Sequence, residues 1–277
     1  MLCNREYKEE GCKIQNKIKN IQSLASIIIV TFNNLNYTKE CIQSIIEKTS
    51  YTNYEIIIVD NKSQDNTPIY LKELEKQYSN ITIVLNEHNY GFAKGNNIGI
   101  KKAKGDYIIL LNNDTVVTRG WISGFIKHLE RDKKLGLVGP VTNYAGNEAM
   151  ISVPYRNIKD MDKFSEIYTL ANSNKLYTNI NMLIMFCVAM RKEIINQVGY
   201  LDESFGIGMF EDDDFSYRVK KAGYEIAYTK DIFIHHYGSA SFKKLGRQKF
   251  IEIFNENKKK FEKKWNIKWT RNKYQNK

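Results

Sequence analysis

An α/β fold with a mostly parallel central sheet flanked by helices is predicted by three features of the sequence. Short apolar runs rich in Ile and Val recur at residues 26–30, 55–59, 81–85 and 107–111. They are nearly continuous rather than alternating, which is the pattern of strands buried on both faces. Segments of helical character separate them, and strand-helix alternation of this kind gives a parallel sheet covered on both sides.

Each element carries its own signal. The first run ends in Thr31-Phe32-Asn33-Asn34, a polar loop. The helix over 37–48 places Cys41, Ile42, Ile45 and Ile46 on one stripe. The second strand ends in Asp60-Asn61-Lys62-Ser63, and the helix over 68–78 has Pro68 in its first turn. A helix over 93–103 follows the third strand. The fourth strand ends in Asn112-Asn113-Asp114. Further on, a helix is predicted over 215–222, closed by Gly223 and preceded by Glu211-Asp212-Asp213-Asp214. Residues 231–234 read as a strand, and His235-His236 follow it.

Composition bounds the rest. The chain has 277 residues, 42% hydrophobic and 26% charged, enough for one large domain with its own core. Its four cysteines form no CxxC pair, so reduced thiols and a cytoplasmic location are expected. The first 24 residues carry charges throughout and lack the apolar region of a secretory signal. The most apolar stretch, 180–190, is too short to span a bilayer and contains Asn181. Of the net charge of +11, +10 lies in residues 241–277, so the body is close to neutral. A uniformly basic nucleic-acid-binding domain is thereby excluded. Three sections result: a polar extension (1–24), a body (25–242) and a basic tail (243–277).

Ligands on parallel α/β sheets bind beyond the carboxyl ends of the strands, which directs attention to 31–34, 60–63 and 112–114. Neither GxxxxGK[ST] nor a GxGxxG after the first strand is present. Gly91-Phe92-Ala93-Lys94-Gly95 precedes a helix; it is either a tight turn or a backbone cradle for phosphate. Asp114 at a strand end can hold a hard cation, although Asn112-Asn113-Asp114 also suits a plain turn. The four acids at 211–214 complement a helix N-terminus. Four adjacent carboxylates repel, however, which favours an additional role, such as a general base for a hydroxyl. Asp214 and Arg218, four residues apart, form a structural pair. A histidine at 235–236 either completes a metal site or is a polar surface residue.

Taken together, SIIIVTFNN (26–34), YEIIIVDNKSQDNT (54–67), NEHNYGFAKGNNIGI (86–100), GDYIILLNNDTVV (105–117), VGYLDESFGIGMFEDDDFSYRVKKAGY (198–224) and IHHYGSASF (234–242) resemble, in order, the family 2 glycosyltransferases, within them the rhamnosyltransferase-like branch. The resemblance implies a GT-A fold, with a Rossmann-like nucleotide-binding half and an acceptor-binding half. It implies an inverting, metal-dependent transfer from a nucleotide-diphosphate sugar to an acceptor hydroxyl, with Mn²⁺ or Mg²⁺ as cofactor. Thr31, Asn33, Asp60 and Asn61 look like base and ribose contacts. Gly91, Phe92, Gly95 and Asn97 look like the segment beneath the donor. Asn112-Asn113-Asp114 looks like the DxD motif, with Asp114 a metal ligand and Asn112 in place of the first Asp. Glu211-Asp212 looks like the ED motif, with Asp212 the base. His236, in His-x-Gly-Ser-x-Ser, looks like the second metal ligand. Glycan, lipid-linked and protein acceptors stay open, with the acceptor site expected within 144–190.

In the tail, Phe250, Ile253, Phe254, Phe261 and Trp265 share one helical stripe among lysines. Three readings of the stripe compete: it packs on the body, it lies on an anionic membrane surface at the inner face of the membrane, or the tail charge binds nucleic acid. Two other classes compete with the enzyme. A sugar nucleotidyltransferase requires a Gly/Arg/Lys-rich loop after the first strand, which is absent here. A non-catalytic sugar- or nucleotide-binding protein of the same fold has no need of Asp114, Glu211, Asp212 and His236 together.

Overall fold

The protein is described by a computed structural model covering residues 22–238 and 246–270. An eight-stranded sheet forms its centre, in the order β3-β2-β1-β4-β8-β6-β9-β7. The first half comprises β1 (Ala25–Thr31), β2 (Tyr54–Asp60), β3 (Ile81–Leu85) and β4 (Tyr107–Asn112), linked by helices α1 (Leu35–Lys48), α2 (Thr67–Gln77) and α3 (Gly91–Lys102). All pairings within it are parallel, as predicted. Ile27, Ile28 and Ile29 of β1 are all fully buried, so both faces of the strand are covered. Burying a side chain of this size contributes about 1.5–3 kcal/mol, which is why a run of isoleucines settles at the sheet centre.

The second half is mixed. After β5 (Thr115–Val116) come α4 (Trp121–Arg131), β6 (Leu135–Val141), α5 (Met161–Ala171), β7 (Leu176–Tyr177), β8 (Cys187–Arg191), α6 (Lys192–Val198), α7 (Glu211–Lys221), β9 (Glu225–Phe233), β10 (His235–His236) and α8 (Arg247–Trp265). Strand β8 runs antiparallel to both β4 and β6 and joins the halves, while β6 and β9 pair in parallel. Only the end of the apolar stretch 180–190 enters strand β8, all five of whose residues are buried. No helix among the described residues is long and apolar enough to cross a membrane.

One expectation needs correction. The acids at 211–214 do not precede their helix; they are its first turn, because Phe210 takes the N-cap position in a left-handed conformation (φ 75°). The histidines follow the strand, as expected, and form β10, a separate two-residue ladder with β5. The polar extension lies outside the described residues over 1–21, as do Ser239, Ser241 and the end of the tail from 271. The tail stripe packs on the body: Phe261 is buried, and Phe254, Trp265 and Trp269 join it against Phe205, Met209 and Phe210. Phe250 stays exposed.

Candidate active site

Strand register brings the three polar loops together. Thr31 pairs with Asp60 across β1–β2, and Val30 pairs with Asn112 across β1–β4. The carboxyl ends of the first, second and fourth strands therefore line one edge of the sheet. Within this edge Asp60 is a pin: one carboxylate oxygen accepts from the Thr31 hydroxyl (3.1 Å) and the Ser63 hydroxyl (2.5 Å), the other from the Ser63 amide (2.9 Å). Asn33, left-handed at φ 56°, is fixed by its own amide donating to Ser63 Oγ (2.6 Å) and by its side chain accepting from the Gln64 amide (2.7 Å). Asn61 donates to the Gly91 carbonyl (3.0 Å) and accepts from Asn86 (2.9 Å). Ser63 and Asn86 were not singled out in the sequence, because short polar loops give no periodic signal.

The segment opening α3 meets the second half of the molecule. The Phe92 amide donates to the Ile207 carbonyl at 3.1 Å. Gly91 has φ +78°, and a Cβ there would drive into the Gly206 carbonyl oxygen and stand 2.8 Å from Ile207 Cα. Backbone strain and overpacking act together at this position, so Gly91→Ala is expected to destabilise the protein by about 2–3 kcal/mol, measured as a lowered urea midpoint at unchanged m-value. Gly95 faces Val30 and Asn61 in the packing of helix on strand. Asn97 is buried and turned to the other half, donating to the Leu201 carbonyl and Glu203 Oε1, both at 2.9 Å. It straps α3 to residues 201–203.

Asp114 and His236 are 122 positions apart, and the β5–β10 ladder makes them neighbours. His236 pairs with Thr115, and the Tyr237 amide donates to the Asp114 carbonyl at 3.0 Å. Asn113 donates to Thr38 Oγ1 at 2.9 Å, which ties the turn to α1. The His236 ring is held on three sides. It stacks on Phe186 (centroids 4.9 Å apart, planes at 12°), Tyr144 meets it edge-on at 5.9 Å, and Asn143 brackets its backbone through two hydrogen bonds. Nδ1 lies 3.0 Å from the Tyr144 carbonyl oxygen. A carbonyl can only accept, so the proton of the neutral ring sits on Nδ1 and the Nε2 lone pair is free for a ligand bond.

Nε2 stands 3.2 Å from Asp114 Oδ1, yet the two are not aligned as a hydrogen bond, and Nε2 has no hydrogen-bond partner. Both residues are less than a tenth exposed. An imidazole lone pair beside a carboxylate oxygen is the donor set of a divalent cation, so the residues present fit such a group. Among the described residues no cluster of three or more His, Cys, Asp or Glu converges.

His235 is the structural member of the pair. Burial, with His236 adding to it, pushes its imidazole down to about 4, so it is neutral near pH 7. Its Nδ1 takes a hydrogen bond from the Tyr155 hydroxyl at 2.7 Å.

The first turn of α7 sorts its four carboxylates by environment. Asp214 is fully buried and neutralised by Arg218 Nε (2.8 Å) and Lys264 Nζ (2.6 Å). The Asp212 carboxylate accepts from the Asp213 amide at 3.0 Å. Burial raises Asp212 above the ordinary aspartate range. Burial, and next the adjacent Asp212, push Glu211 up to about 8, and its Oε2 has no hydrogen-bond partner. Glu211 is therefore mostly neutral at pH 7, and negative charge is left to Asp212.

A raised carboxyl value in the folded state means that folding binds a proton. The stabilisation is fully present below the unfolded Glu value near 4.5 and is lost as pH rises through about 8. Glu211→Gln mimics the neutral acid. Its melting temperature is expected to fall less than that of the wild type between pH 5 and pH 9, as followed by circular dichroism.

The turn before α7 is strained. Met209 and Phe210 are consecutive left-handed residues, both at φ 75°. Such conformations cost about 1–3 kcal/mol each and persist only where the surroundings over-determine them. Asn257 of α8 supplies part of that restraint by donating to the carbonyls of Phe205, Gly208 and Met209.

The family profile "Glycosyl transferase family 2" matches residues 26–199. Chondroitin synthase of Pasteurella multocida is 26% identical over 230 residues, covering 72% of this chain and 23% of its own. The chain spans less than half the length of the first curated relatives it matches. In fold, it is similar to GalNAc-T7, solved with UDP, GalNAc and Mn²⁺ (TM-score 0.63, 17% identity, 78% of this chain and 44% of that one). It is also similar to the mannosyltransferase PcManGT of Pyrobaculum calidifontis, solved with GDP-Man and Mn²⁺ (TM-score 0.59, 19% identity, 78% and 57%). The mixed sheet flanked by helices is the GT-A fold of these neighbours.

Proposed function

The chain belongs to glycosyl transferase family 2, and from that premise we propose that it transfers a sugar from a nucleoside-diphosphate donor to an acceptor hydroxyl with inversion. The observation that carries this reading is the convergence of His236 Nε2 and Asp114 Oδ1 at 3.2 Å, without a hydrogen bond between them, at the sheet edge where ligands bind.

Asp114 and His236 would hold a divalent cation, Mn²⁺ or Mg²⁺. Such a cation, when bound, offsets charge on the departing diphosphate. Thr31, Asn33, Asp60 and Asn61 form the pocket for the nucleoside, with Asp60 shaping the loops through its pinning bonds. Gly91, Phe92, Gly95 and Asn97 build the floor beneath the donor, while Asn112 and Asn113 sit beside the diphosphate. Asp212 accepts the proton of the acceptor hydroxyl as that oxygen attacks the anomeric carbon and the bond to the diphosphate oxygen breaks. Attack from the opposite face inverts the configuration. Neutral Glu211 keeps the local negative charge on Asp212.

The resemblance of the six sequence stretches over residues 26–242 supports the rhamnosyltransferase-like branch, and a UDP- or dTDP-sugar is the proposed donor. The similarity to a chondroitin synthase supports a role in cell-surface polysaccharide or glycoconjugate synthesis. Calorimetric titration with UDP and dTDP, with Mn²⁺ and then with EDTA, tests the donor half of the reading. Binding that needs the cation is expected. Absence of binding to either nucleotide in Mn²⁺ would remove the donor assignment.

A further inference from the structure

Four consecutive acids open α7, and the proposed chemistry uses two of them. The other two are held by the C-terminal segment. Trp265 Nε1 donates to Asp214 Oδ1 at 2.9 Å, and Trp269 Nε1 donates to Asp213 Oδ1 at 2.9 Å. Lys264 Nζ lies 2.6 Å from Asp214 Oδ1 and 2.6 Å from Asp202 Oδ2. The same segment grips the strained turn ahead of the acids. Asn257, itself buried, donates to three of the turn's carbonyls at 2.8, 2.9 and 3.2 Å. The Phe210 ring sits among Phe254 (5.2 Å), Trp269 (5.3 Å) and Phe261 (5.8 Å).

We propose that Trp269, Trp265 and Asn257 are positioning residues for Asp212, a role that rests on the glycosyl-transfer reading above. Asp212 stands between the left-handed pair 209–210 and the two clamped carboxylates 213–214. Its own carboxylate takes a hydrogen bond from the amide of Asp213, so displacing Asp213 displaces the partner that orients the base. The choice of donors fits this task. The cations, Lys264 and Arg218, are spent on Asp214, two residues from the base. Asp213, adjacent to the base, receives a neutral indole N–H, which fixes it without placing a positive charge beside Asp212 to weaken its basicity. The gripped turn also reaches the donor side, since the Ile207 carbonyl accepts from the Phe92 amide and Gly206 lies against Gly91. The C-terminal segment thus sets the base and the donor floor relative to one another.

The test uses the full chain and compares wild type, Asp212→Asn, Trp269→Phe and the double variant Trp265→Phe/Trp269→Phe. Phenylalanine keeps an aromatic ring in the cluster and removes the indole N–H together with the second ring of the indole. Misplacing a catalytic group by about 1 Å costs on the order of 10²-fold, so kcat is expected to fall roughly 10- to 100-fold. Donor KM and calorimetric donor affinity should stay close to wild type, while the melting temperature falls modestly with the lost ring packing and the lost hydrogen bond. If the double variant does not fold, Trp269→Phe alone carries the measurement. Wild-type kcat in Trp269→Phe overturns the proposal, as does a loss of kcat matched by an equal loss of donor affinity. A wild type no more active than Asp212→Asn would instead bring down the glycosyl-transfer reading, and this proposal with it.

Discussion

Asp212→Asn is expected to lower kcat by roughly 10²–10⁴-fold, the usual worth of a positioned general base, while donor affinity in Mn²⁺ stays at the wild-type value. The split follows from the proposed role of Asp212, which is on the acceptor hydroxyl and not on the nucleotide. The variant should fold normally, since Asn keeps the oxygen that accepts from the Asp213 amide. Wild-type activity should carry the signature of the same group. Burial raises Asp212 above ordinary aspartates, so transfer must be lost on acidification at a pH above the ordinary aspartate value. Steady-state kinetics with the preferred donor across pH 4–8 checks both statements. A variant that keeps wild-type kcat would assign the base elsewhere.

Asp114→Ala is expected to remove the cation dependence of donor binding and to lower transfer by on the order of 10²-fold or more, the scale of several kcal/mol of charge stabilisation on the leaving group. Only His236 would remain as a protein ligand, because no larger cluster of metal-binding side chains exists among the described residues. His236→Ala should act in the same direction. His235→Ala is the control: its side chain bonds Tyr155, so it should lower stability without changing cation dependence. Calorimetry of nucleotide binding against Mn²⁺ concentration separates the three. Equal cation dependence in Asp114→Ala and wild type would move the metal site away from β5.

The first half of the fold is legible because its strands are buried on both faces and their isoleucine runs admit few other readings. The second half is harder. Strand β8 inserts antiparallel between β4 and β6, and nothing in a buried apolar run states its direction. Asp114 and His236 are each visible as polar strand ends, but their meeting depends on a ladder of two residues per strand, too short for any periodicity. The start of α7 is misread because an aromatic residue at a left-handed N-cap is not a recognisable start signal, so the acids look like a preceding loop. The surplus of carboxylates at 213–214 is visible in the sequence, but its reason is not. The indoles that satisfy them lie 51 and 56 positions away, on a tail whose charge draws attention to membranes instead. Asn257 is hidden for the same reason, as a lone polar residue on an apolar stripe.

The most direct test of the account is nucleotide release from a panel of UDP-, dTDP- and GDP-sugars with Mn²⁺ or Mg²⁺, using wild type beside Asp212→Asn and Asp114→Ala. The account predicts that the wild type turns over one donor in a cation-dependent manner and that both variants lose it. Turnover that survives in both variants, or a wild type that neither binds nor turns over any donor on the panel, would contradict it.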